Sequence, residues 1–135
     1  MEYKLPKDFL CTWSTFFKDL FKEGGDSIVL PLEDGVVSLR SFQMLLQCMF
    51  TSNIVLHTED DSVLLDSILE FVRLVDKCGI LSVASKIADI IIKSISIEGY
   101  LPRHIKQASF LPKENPVRQI FVEAVFEDCV RSHDL

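Results

Sequence analysis

Ser38-Leu39-Arg40-Ser41-Phe42-Gln43-Met44-Leu45-Leu46-Gln47-Cys48-Met49-Phe50-Thr51-Ser52 is the stretch on which the fold turns. Arg40, Gln43, Gln47 and Thr51 recur at helical spacing as one narrow polar stripe, and almost everything else in the run is apolar. An apolar arc this wide belongs to a buried central helix or to a helix that also touches a partner. Ile54-Val55-Leu56 follows directly and reads as a short strand.

Downstream, Asp61 or Ser62 can cap a helix running to about Cys78, with Asp66, Glu70, Arg73 and Lys77 as its polar stripe. Glu70 and Arg73 are spaced for an i,i+3 ion pair. Gly79 stops that helix, and a second one follows over Ile80 to about Ile95. Its polar stripe is Ser82, Lys86, Asp89, Lys93 and Ser96, and Ile90-Ile91-Ile92 at its centre is expected to be core. So short a connection predicts an antiparallel helical hairpin. Beyond Gly99-Tyr100, a short helix is expected over Pro102 to Phe110. A last helix runs from Asn115, its cap, with Pro116 at the first position, to about Arg131. Val117, Ile120, Phe121, Ala124, Val125 and Cys129 would form its inner face, with Glu123, Glu127 and Arg131 outward.

Upstream, Pro6 to Lys22 carries Phe9, Leu10, Trp13, Phe16, Phe17, Leu20 and Phe21 at three- and four-residue spacing. This predicts one or two short amphipathic helices, with Pro6 near the first position and Ser14 able to cap the second. Ser27-Ile28-Val29-Leu30-Pro31-Leu32 is β-branched and bounded by turns, so a strand is expected there, with Pro31 placing it at an edge or marking a strand end. The fold class that results is α+β, mostly helical, with a small short-stranded sheet. Too few strands alternate with helices for a parallel α/β fold.

At 135 residues the chain suits one domain. With 48% hydrophobic residues the composition argues against disorder, and five Gly and five Pro exclude a linker or collagen-like composition. A net charge of −6 argues against a phosphate-backbone binder, so no direct nucleic-acid contact is expected. No apolar run approaches the roughly 20 residues of a bilayer-spanning helix. The polar start Met1-Glu2-Tyr3-Lys4-Leu5-Pro6 lacks the apolar core of a signal peptide, so an intracellular setting, cytoplasm or nucleus, is expected. The mean hydropathy of +0.26 is high for a small monomer and points to a partner surface or an oligomer.

Chemistry is sparse. Cys11, Cys48, Cys78 and Cys129 lack the paired spacing of a metal site and sit among apolar neighbours, as small buried hydrophobes do. His57, His104 and His133 lie far apart with no nucleophile near, which leaves surface or capping roles. Glu59-Asp60-Asp61 reads as a solvated helix N-terminus, and Arg103, His104 and Lys106 as a solvated helix face. No phosphate-cradling glycine loop or nucleophile elbow is present, so neither a metal nor a cofactor is implied.

The order of elements and several residues together resemble a BTB/POZ domain. Pro6-Lys7-Asp8-Phe9-Leu10 through Trp13-Ser14-Thr15-Phe16-Phe17-Lys18-Asp19-Leu20-Phe21 is similar to the family's stretch of Lys, Leu, Ser and Phe ahead of a short aromatic helix. Phe42 to Leu56, with Leu45-Leu46, Met49-Phe50-Thr51 and Ile54, resembles the helix that ends in an aromatic-Thr pair before a short strand. Leu69 to Leu81, with Leu74, Asp76, Lys77, Cys78 and Leu81, resembles the family's helical hairpin. Pro102-Arg103-His104-Ile105 and Asn115-Pro116-Val117-Arg118 are similar to the helical extension of BTB proteins of filamentous fungi. The resemblance spans about Leu5 to Arg131. It implies a BTB/POZ-like core over residues 1–98 and a C-terminal helical extension over 99–135, packed as one domain.

Two departures stand out. Only Glu2-Tyr3-Lys4-Leu5 remains where the family usually opens with a β-hairpin, a region family homodimers often use. Ser41-Phe42-Gln43 stands where cullin-binding relatives often carry a hydrophobic-x-Glu triplet. The resemblance implies a non-enzymatic protein–protein interaction module, mediating self-association as a homodimer or adaptor binding to a cullin ubiquitin-ligase scaffold. In the adaptor case the partner-binding residues are Phe42, Gln43, Met49, Phe50 and Ile54, with the start of the hairpin. Three alternatives are a regulator of transcription that acts by recruitment, an inhibitor of other BTB proteins, and a cysteine-dependent enzyme, which would need a low-pKa thiol.

Overall fold

The computed structural model describes residues 5–25, 29–54, 61–80 and 83–133. Among them the chain forms seven helices: α1 (Lys7–Trp13), α2 (Thr15–Gly24), α3 (Leu39–Thr51), α4 (Asp61–Lys77), α5 (Ala84–Glu98), α6 (Pro102–Ser109) and α7 (Pro116–His133).

Local chemistry sets most boundaries. Ser14 ends α1, its N–H donating to the Leu10 carbonyl, and starts α2, its hydroxyl accepting from the Phe17 N–H at 3.2 Å. Pro6 caps α1 from outside rather than occupying its first turn. Ser38 and Ser41 form a reciprocal capping box at the start of α3. The Asn115 side chain accepts from the Val117 N–H at 2.9 Å, as expected for the cap of α7. Gly79, at φ 68°, turns the chain out of α4, and the Ile80 N–H closes back on the Val75 carbonyl. That closure occupies Ile80, so α5 begins at Ala84 and not at Ile80.

The expected short-stranded sheet does not form among the described residues. They hold only one isolated bridge, Glu33 with Val37, closed by a turn through Gly35. Val29 and Leu32 stand exposed, with no strand among the described residues to pair with, and Pro31 offers no donor. Residues 27 and 28, and Val55 and Leu56 of the second expected strand, lie outside the described residues.

The central helix is α4, which packs on α3, α5 and α6, while α7 packs on α5 and α6. Leu65, Ile68, Leu69, Phe71, Val72, Leu74 and Val75 bury most of its circumference. Its polar stripe is spent on neighbours. Asp66 receives Arg103 of α6, and Glu70 accepts from the Ser38 hydroxyl at 2.6 Å and Arg40 at 3.3 Å. Arg73 donates to the Gly35 carbonyl and lies over the Phe110 ring, and Lys77 pairs with Glu33 at 2.7 Å. Glu70 therefore bonds the start of α3 and not Arg73, because the tertiary partners approach its carboxylate directly. Gly35 sits at φ 74°, a conformation that calls for glycine, and a Cβ there would come 2.6 Å from Arg73 Nη1 and push the end of that side chain aside.

Two core assignments are corrected. Ile91 is fully buried, but Ile92 is 49% exposed and Ile90 half-buried. Three consecutive residues span about 200° of a helix and cannot share one face. Cys129 is exposed, not on the inner face of α7, because the buried face of that helix ends at Phe121 and every side chain from 126 to 131 is exposed.

Candidate functional site

Helix α3 carries four of the five residues that the sequence singles out, Phe42, Gln43, Met49 and Phe50, and Ile54 follows three residues after its end. Positions 39, 43 and 50 fall within about 40° of one another on a helix of 3.6 residues per turn. On that line Leu39 and Gln43 are exposed, and Phe50 is 57% exposed at the C-terminal end. Phe42 and Ile54 are half-buried and pack against the core. Met49 is only 3% exposed, so it supports this face from beneath instead of lining it.

Phe50 does not stand alone. Its ring stacks on Phe9 of α1, with centroids 4.6 Å apart and planes 17° from parallel. Phe9 in turn meets Trp13 at 6.5 Å in a tilted contact. An aromatic ladder therefore runs from α1 to the outer end of α3. The spacing of Phe9 and Trp13 in the sequence predicts a short amphipathic helix and does not connect them to Phe50. Their i,i+4 spacing was the available signal, but it does not tell which helix the face meets. The neighbouring polar groups are the neutral amides Gln43 and Gln47 and the Thr51 hydroxyl, whose Oγ1 donates to the Gln47 carbonyl. An exposed aromatic braced by a second ring, with uncharged hydrogen-bonding groups beside it, suits contact with another protein surface.

Ser41, first residue of the Ser41-Phe42-Gln43 triplet, is fully buried, its hydroxyl donating to the Val36 carbonyl at 3.0 Å. It is committed to holding the start of α3.

Several ionisable groups serve the fold. His104 is buried, not on a solvated face. Its Nδ1 accepts from the Leu101 N–H at 2.9 Å, so in the neutral ring Nε2 carries the proton. That nitrogen lies 3.2 Å from Asp66 Oδ1 but off a hydrogen-bonding line. Burial pushes the Asp66 carboxyl up, but Arg103 and His104 outweigh it and hold it below its ordinary value. Burial raises the Cys48 thiol and pushes Cys78 up to about 11, so neither is an activated nucleophile. The Tyr100 hydroxyl donates to Asp128, and this bond pushes its pKa up to about 12. His57, Glu59 and Asp60 lie outside the described residues.

A pocket of about 300 Å3 opens between α4, α5 and the turn before α7, walled by Val72, Val75, Ile87 and Val117 with Asp76 and Glu114. Its lining holds no nucleophile beside a base. Among the described residues no group of His, Cys, Asp and Glu is arranged to hold a metal, and no helix is long and apolar enough to cross a membrane.

The model of the BTB/POZ domain family matches residues 1–86, which takes in α1 to α4 and the first residues of α5. Comparison with curated proteins and with solved structures gave no match.

Proposed function

The chain belongs to the BTB/POZ domain family, a family of protein-interaction modules, and we propose that its partner binds the outer face of α3. The observation that carries this reading is Phe50, more than half exposed yet braced by Phe9. A large ring held rigid at the surface loses little entropy on binding and anchors a partner well. Gln43 lies one heptad earlier on the same line and supplies directional hydrogen bonds at its edge. Phe42 and Ile54 flank the anchor, and Met49 fixes it from below.

Two occupants fit this face. A second copy of the chain is favoured by the apolar excess, with large side chains such as Leu39 and Phe50 left exposed together. A cullin scaffold is favoured by the place of Phe50 at the end of the helix that the family resemblance assigns to adaptor contact. Gln43 keeps hydrogen bonding there without the acidic charge. In this reading residues 1–98 form the interaction core and residues 99–135 an extension that buttresses it through α4 and α5.

Calorimetric titration of the chain into a purified cullin scaffold tests the adaptor branch. The native chain binds, Phe50→Asp weakens binding by about tenfold or more, and Gln43→Glu strengthens it. Binding by the native chain that neither substitution alters would overturn the assignment of this face.

A further inference from the structure

Helix α7, beyond the family match, carries a second apolar face that the fold leaves uncovered. Val117 and Phe121 point into the core. Val122, Phe126 and Val130 are 55%, 68% and 43% exposed. At 100° per residue they lie about 100° to 180° around the helix from Phe121, on the side turned away from the body. Their i, i+4, i+8 spacing makes one continuous stripe, widened by the exposed Cys129. Glu123 and Glu127 each follow a stripe residue and line one edge of it. Among the described residues neither is in an ion pair.

We propose that this face of α7 docks an amphipathic helix of a partner protein that carries Lys or Arg beside its apolar positions. The charge pattern selects that occupant. An antiparallel copy of α7 would set the Glu123 and Glu127 edge against itself, carboxylate facing carboxylate. A parallel copy would need a cation opposite Glu123. Arg118 stands on that other edge, but its Nη1 is held by the Leu111 carbonyl at 2.8 Å. Anionic lipid headgroups are repelled by the same edge. A basic helix places apolar side chains on Val122, Phe126 and Val130 and its cations on the two carboxylates, the helix-on-helix form of recognition.

The test uses the full chain and two labelled peptides of about 18 residues, long enough to hold a helix. One has Leu at helical spacing with Lys elsewhere, and the other has Glu in place of Lys. Fluorescence anisotropy reads binding. The Lys peptide is expected to bind the native chain, and Phe126→Asp and the double change Glu123→Lys, Glu127→Lys each weaken it by about tenfold or more. The double change should also confer binding of the Glu peptide. Asp89→Lys, an exposed charge reversal on α5, and Phe50→Asp on α3 should leave Lys-peptide binding unchanged. All substituted side chains are exposed, and circular dichroism confirms their folding. Equal loss with Asp89→Lys would show attraction by net charge alone and overturn the proposal. Loss with Phe50→Asp would move the binding to α3. A dimer of the native chain that Phe126→Asp dissolves would hand the face to a second copy.

Discussion

Ser14 joins the start of α2 to the distant turn after α4 with one small side chain. Its hydroxyl accepts from the Phe17 N–H and donates to the Cys78 carbonyl at 2.5 Å, tying the α1–α2 corner to the end of α4. Asp66 acts at the same scale. Arg103 reaches it through Nε at 3.1 Å and Nη2 at 2.9 Å, and His104 faces it from α6. Because this carboxyl ionises more readily folded than unfolded, its contribution is complete above its unfolded value of 3.8. It is lost as pH falls through the lower folded value. Asp66→Asn is therefore expected to cost about 1–2 kcal/mol near neutrality and to flatten the acid limb of the stability curve. Chemical denaturation of both proteins between neutrality and strong acid reads this, and an unchanged acid limb would contradict it. The caps at Ser14 and Asn115 and the stop at Gly79 were legible in the sequence because capping is decided within three or four residues. The partners of Asp66, Glu70, Arg73 and Lys77 were not. A stripe of charges at helical spacing looks the same whether water or three other elements will meet it.

The elements were legible where periodicity is strong and less so where neighbours decide. All seven helices correspond to runs marked by apolar spacing and turn residues. The expectation of short strands rests on β-branched content and bounding turns, which cannot supply a pairing partner. The breadth of the apolar arc on α3 left two readings open, a central helix or one that also meets a partner. Helix α4 took the central place, leaving Leu39 and Phe50 of α3 exposed. The correction within Ile90-Ile91-Ile92 gives a matched pair of tests. Ile91→Asp places a charge where nothing is exposed, costing several kcal/mol of a total stability of roughly 5–15, and should abolish folding. Ile92→Asp, on a half-exposed side chain one residue on, should shift stability by under about 1 kcal/mol. Thermal melts followed by circular dichroism separate the two, and comparable melting of both would show that the phase of α5 is wrong.

At the scale of the whole molecule, α3, α5 and α6 pack on α4, and among the described residues apolar faces of α3 and α7 remain outside that core. One is on α3 and braced by α1, the other on the outward side of α7. Only the first was legible in the sequence, through the family resemblance and the residues Phe42, Gln43, Met49, Phe50 and Ile54. The role of Phe9 depends on how α1 packs on α3, which spacing does not encode. The α7 face was hidden because the same helix offers apolar residues on two sides, and only the end of the packed body shows which side stays bare. The central claim is that the α3 face holds a protein partner. Light-scattering chromatography of the native chain and of Phe50→Asp, each run alone over a concentration series and each mixed with a cullin scaffold, tests it most directly. The native chain should exceed its monomer mass of 15.4 kDa alone or co-elute with the scaffold, and Phe50→Asp should do neither. A native chain that stays monomeric in every run, or a variant that assembles just as the native chain does, would contradict it.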